Sequence, residues 1–226
     1  MSKKKKQVTD MEIAKAGFAN GLASSIPLSD QEKEMMIMDA ADAFGKFLDA
    51  LRCDWRNDPN SDNTPKRVAK AYVNDLWAGR YQGPPSITGF PSDGYDGIVQ
   101  ESNIPLTSMC SHHHQTITGK VHIAYIASEQ GTVVGLSKLN RIVEYFGRRG
   151  AIQEQLTVAI HNAVDQICEG NLGVAVCIDA GHNCVSCRGV GHQGASMQTA
   201  KLSGSFLDKP EARAEFYKNI ELSSKK

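Results

Sequence analysis

Apolar residues recur along this chain at two periods, and the change falls near Ile98. Before that point the spacing is helical. Met35, Met38, Ala41, Phe44, Leu48 and Leu51 form one stripe, preceded by Pro27 and the capping-box sequence Ser29-Asp30-Gln31-Glu32. A stripe of Met and aromatic side chains belongs to a core or a subunit interface rather than to a cofactor site. Asn57 to Asn63 is rich in turn residues, and Thr64-Pro65 opens a second helix, with Thr as N-cap and Pro at its first position. Val68, Ala71, Tyr72, Leu76 and Trp77 supply its apolar face, and Gly79 ends it. Residues 80–97 are rich in Gly and Pro and read as a long connector.

After Ile98 the alternation shortens. Val121, Ile123 and Tyr125 alternate with His122, Ala124 and Ile126, the pattern of a half-buried strand. Gly135-Leu136-Ser137 closes a hairpin and starts a helix carrying Leu139, Ile142, Val143 and Phe146, broken at Arg149-Gly150. A second helix carries Ile152, Leu156, Ile160, Val164 and Ile167 and stops at Gly170. Val174 to Ile178 is a near-continuous apolar strand, a weaker strand runs from Val190 to about Phe206, and a short helix follows Asp208-Lys209-Pro210. The order strand, strand, helix, helix, strand, strand predicts an α+β fold, with helices on one face of an antiparallel sheet. The chain divides into an N-terminal helical region and connector, residues 1–97, and a sheet domain, residues 98–226. No internal repeat is present.

Composition narrows the function. The 226 residues are 41% hydrophobic and 22% charged, with zero formal net charge, so no global field favours nucleic acid or a membrane surface. Lys3 to Lys6 read as a solvated tail. No apolar run approaches the roughly 20 residues of a membrane span, and the amino terminus lacks a signal-peptide core. The expectation is a cytoplasmic protein. Six cysteines in such a chain point to metal binding or burial rather than to disulfides. Cys168 and Cys177 lie inside apolar runs and read as core.

Cys53 gives no functional signal, and the other three cysteines carry the chemistry. Ser108-Met109-Cys110-Ser111-His112-His113-His114 is matched, seventy residues on, by Gly181-His182-Asn183-Cys184-Val185-Ser186-Cys187-Arg188-Gly189. Thiolates and imidazoles suit zinc, which in catalytic sites keeps three protein ligands and an open position for water. Cys110, His112, His113, His114, His182, Cys184 and Cys187 are too many for one ion. His112 and His113 should not both face a metal if their stretch is extended. A closed Cys₂His₂ site that only staples the fold is the alternative from spacing alone.

Five blocks, in order, resemble the GTP cyclohydrolase I family. They are Thr64-Pro65-Lys66-Arg67-Val68-Ala69-Lys70, Cys110-Ser111-His112-His113, Gly135-Leu136-Ser137-Lys138-Leu139-Asn140-Arg141, Gln153-Glu154-Gln155-Leu156, and His182-Asn183-Cys184-Val185-Ser186-Cys187-Arg188-Gly189. The resemblance implies a tunnelling fold, with two helices on a four-stranded antiparallel sheet. It also implies a homodecamer with active sites between subunits. It implies Zn²⁺ on Cys110, His113 and Cys184, with Cys187 a bystander. The implied reaction converts GTP and water to 7,8-dihydroneopterin triphosphate and formate. His182 would protonate N7, His112 would transfer a proton or position the sugar and water, Ser137 would assist the sugar stage or hold phosphate, and Glu154 would hold the guanine edge. Lys138, Arg141, Arg188, Arg67 and Lys70 would bind the triphosphate.

The chain departs from the family pattern at Ser111, where Glu is usual, at His114, where an aromatic residue is usual, and over Val190 to Gln198. Two rival readings follow: a zinc enzyme that stops after opening the purine ring or prefers another purine nucleotide, and a nucleotide-binding relative without catalysis.

Overall fold

The computed structural model describes Ser25 and residues 27–225, and among these Ser29 opens the first helix. Its Oγ accepts from Glu32 N–H at 3.3 Å, and Glu32 Oε2 accepts from Ser29 N–H at 2.7 Å, so the capping box forms as predicted. The Lys-rich amino terminus lies outside the described residues. This helix, α1, spans Asp30–Ala50. Its inward face is rotated from the predicted stripe. Ile37 and Gly45 are buried, with Met36, Ala40 and Ala41 packed beside Ile37, while Met35, Met38 and Leu51 stay exposed. The small residues Ala40, Ala41 and Gly45 admit the next helix closely, and that approach selects the face.

Helix α2 is Thr64–Ala71, and its N-cap is Asn63 rather than Thr64. It continues as a π-helical turn over Tyr72–Leu76, where Trp77 N–H donates to Tyr72 O at 2.9 Å, and then as the short α3, Ala78–Tyr81. Gly79 therefore lies inside a helix instead of ending one. A Cβ there would come within 2.1 Å of Tyr145 O, so only glycine permits this contact. Arg149, fully buried, clasps it, donating to Gly79 O at 2.8 Å and to Tyr145 OH at 2.8 Å.

The connector also contains structure. Gly89–Pro91 (β1) pairs antiparallel with Thr132–Val134 (β4), a two-stranded ribbon too short to show in the hydrophobic pattern. The main sheet is antiparallel with four strands: β2 (Ile98–Met109), β3 (Thr116–Ile126), β5 (Val174–His182) and β6 (Ser196–Leu202), in the order β2-β3-β5-β6. A bulge between Glu101 and Ile104 adds one residue to β2 and places Asn103 at φ 62°. Strand β6 begins at Ser196, later than expected. Gly189, Gly191 and Gly194 all take positive φ and hold the preceding segment out of the sheet.

Helices α4 (Leu136–Gly147) and α5 (Gln153–Ile167) cover one face. Leu139, Ile142, Val143, Phe146, Leu156, Ile160 and Val164 meet Val121, Ile123, Tyr125, Val174, Val176 and Ile178 there. At roughly 1.5–3 kcal/mol for each large apolar side chain, this layer dominates stability. The opposite face is covered too. After two short helices, α6 (Asn183–Ser186) and α7 (Ser205–Asp208), comes α8, Pro210–Ser223, and Phe206 and Phe216 pack on Ala124, Ala175 and Cys177. His122 and Ala124, predicted on the wet side of a half-buried strand, are therefore buried. Cys168 and Cys177 are core residues as expected. Among the described residues no helix is long and apolar enough to cross a membrane.

Candidate metal and nucleotide site

The two cysteine-bearing segments meet at one end of the sheet. Cys110 follows β2 and is buried, joined by a bridge to Ala151 just before α5. The chain then turns tightly: His114 N–H donates to Cys110 O at 3.0 Å, and His114 takes φ 51°. His114 ends packed with its ring 5.3 Å from Trp77 and 6.1 Å from Tyr72. Across the sheet, Ile117 of β3 pairs with His182, the last residue of β5, and α6 carries Cys184 directly after it.

The thiols of Cys110 and Cys184 are neighbours. Burial, and then the neighbouring Cys110 thiol, push the Cys184 thiol above its ordinary pKa. His112 Nδ1 lies 3.6 Å from Cys110 Sγ, and His182 Nδ1 lies 4.0 Å from Cys184 Sγ. His113 Nε2 sits 3.1 Å from Arg188 Nη1. A guanidinium only donates, so that ring nitrogen presents a lone pair, as a metal ligand must. Among the described residues no three His, Cys, Asp or Glu side chains already form a metal-holding group. Two sulfurs with adjacent imidazoles fit zinc in kind. Cys187 turns away, its thiol donating to Asn183 O at 2.7 Å.

His182 Nε2 lies 2.6 Å from Gln153 Oε1 on the first turn of α5. Burial lowers the His182 pKa, and the charge of Glu154 partly opposes that shift. Glu154 itself is exposed and lines a cleft with Thr157, Thr199, Lys201 and Leu207. Sequence reasoning gave Gln153 no role, although it stands beside Glu154 in a matched block.

The phosphate candidates are dispersed. Arg188 is at the cysteine cluster. Ser137 and Lys138 begin α4, where Lys138 Nζ donates to Ser86 O at 3.0 Å. Arg141 lines a separate cleft with Gln82, Gly83, Tyr145 and Arg148. Arg67 and Lys70 are exposed on α2. The start of α4 is at the far end of the sheet, since Val134 N–H donates to Tyr125 OH at 3.0 Å just before it. From Ile117 to Tyr125 the strand rises roughly 27 Å, at about 3.4 Å per residue. Within one chain, then, Ser137 and Lys138 do not reach the cluster.

Comparison with known proteins gives a consistent result. GTP cyclohydrolase 1 of Shewanella sp. strain ANA-3 is 40% identical over 173 residues, covering 76% of this chain and 78% of that protein. GTP cyclohydrolase 1 of Enterobacter sp. strain 638 is 36% identical over 212 residues, covering 92% and 94%. A solved structure, the archaeosine synthase QueF-Like in the apo form, has a TM-score of 0.39 at 18% identity, over 48% of this chain and 94% of that one, too distant to carry weight. The family model for GTP cyclohydrolase I matches residues 40–221, and the chain belongs to that family of enzymes.

Proposed function

We propose that this enzyme converts GTP and water to 7,8-dihydroneopterin triphosphate and formate, with zinc held by Cys110, His113 and Cys184. The observation that carries this reading is the convergence of Cys110 and Cys184 beside His112 and His182, from segments seventy residues apart. Zinc bound there supplies a Lewis acid that activates water at neutral pH.

The protein groups divide the remaining work. The Glu154 carboxylate accepts from guanine N1–H and the exocyclic amine, fixing the base. His182 delivers a proton to N7, which makes C8 electrophilic and lets water add to it. The C8–N9 bond then breaks, leaving a formamide on N7. A second water cleaves that formamide and formate departs. The ribose opens and rearranges, and its carbonyl carbon condenses with the freed amine, returning one water, so the net uptake is one water. His112 is the second proton carrier, and Ser137 serves the sugar stage or a phosphate. Lys138, Arg141, Arg188, Arg67 and Lys70 neutralise the triphosphate.

The separation of Ser137 and Lys138 from the cluster supports a site completed by a neighbouring subunit. Met35, Met38 and Leu51, exposed along α1, favour self-association, and a tunnelling-fold homodecamer in the cytoplasm accommodates both observations. Incubation with GTP tests the reading. Equimolar formate and a fluorescent pterin are expected. A formamidopyrimidine without fluorescence would establish the ring-opening alternative, and binding without product would establish a non-catalytic relative.

A further inference from the structure

We propose that Gln153 is a positioning residue that locks His182 as its Nε2–H tautomer, with the Nδ1 lone pair turned to the Cys184 side. The inference rests on the role given to His182 above. Gln153 is 1% exposed, and one terminal atom of its amide lies 2.8 Å from Met197 O and 3.2 Å from Ile178 O. Carbonyl oxygens only accept, so that atom is the NH₂ group and the other is the oxygen.

The hydroxyls alongside agree. Thr157 Oγ1 donates to Gln153 O at 2.8 Å, which uses its only proton. Thr199 must therefore donate across the 2.7 Å contact with Thr157, and its lone pair receives the Gln153 NH₂ at 3.1 Å. This ring of bonds closes on Gln153 in a single direction. Flipping the amide would set its oxygen against two carbonyls, so the oxygen stays 2.6 Å from His182 Nε2. An acceptor there requires a proton on Nε2. A neutral imidazole carries one proton, so the lone pair is on Nδ1, the nitrogen that faces the Cys184 side.

Solid-state ¹⁵N NMR on histidine-labelled whole protein, in mildly alkaline buffer, reads the tautomer. The His182 signal is assigned by its loss in His182→Ala. The wild type should show Nε2–H. Gln153→Met should show mixed tautomers, with kcat for GTP lowered on the order of 10²-fold, a typical share for proton transfer, and KM changed only a few-fold. Thr199→Val, which frees one anchor and leaves the Gln153 oxygen in place, should lower kcat less, and Thr199→Ser should restore it. An Nδ1–H signal in the wild type, or an unchanged tautomer in Gln153→Met, would overturn the lock. A shifted tautomer with full turnover would keep the lock and refute the proton role of His182, so the two failures are distinguishable.

Discussion

The two cysteines of Cys184-Val185-Ser186-Cys187 differ in what they face, and that difference is testable. Cys184 neighbours the Cys110 thiol, whereas the Cys187 thiol donates to the backbone at Asn183 O. Cys184→Ala should lose bound zinc and turnover, and Cys187→Ala should retain both. Equal zinc in the two variants, by metal analysis, would refute the ligand assignment. His182→Ala should keep zinc while kcat falls by roughly 10²–10⁴-fold. That the two cysteine segments belong together was legible in the sequence, because matched blocks name residues whatever their conformation. The engagement of His113 by Arg188 and the lock on His182 were not legible. Each depends on distances between segments that no local pattern encodes.

The elements show where periodicity works and where it fails. Helices α4 and α5 were readable because most of their apolar positions face one dense core, and strand β5 because both of its faces are covered. The face of α1 was misplaced because packing follows the small residues Ala40, Ala41 and Gly45 rather than the long methionines. Gly79 looked like a helix stop because close approach and chain termination both call for glycine. Gly79→Ala must push against Tyr145 O, and should destabilise the fold by about 1–3 kcal/mol, as overpacking does, measured by denaturant unfolding. Buried histidines give a pH-dependent test. His122 and His161 are held below the ordinary histidine pKa by burial, on opposite faces of the sheet. The unfolded chain therefore binds more protons as pH falls through about 6.5, and stability declines on that acid side. Melting temperatures across neutral to mildly acidic pH should fall, and His161→Gln, with Ser203 still in hydrogen-bonding range, should flatten the slope.

For the whole molecule, the layout of a single chain is the decisive fact. The cysteine cluster and the Ser137-Lys138 helix start stand at opposite ends of the same sheet. If neighbouring subunits share sites, mixed assemblies of Cys184→Ala and Lys138→Ala chains should recover part of the activity that each homogeneous variant lacks. Sites confined to single chains would recover none. The sequence carried the order of strands and helices but not the second cover of the sheet. The apolar contribution of α8 comes from a few residues, Phe216 chief among them, set in a largely polar helix. The most direct measurement is formate release from GTP by protein stripped of metal and then given one equivalent of zinc per chain. The account predicts that turnover is lost on stripping and returns with zinc, one formate for each pterin. Full formate release by verified zinc-free protein would contradict it.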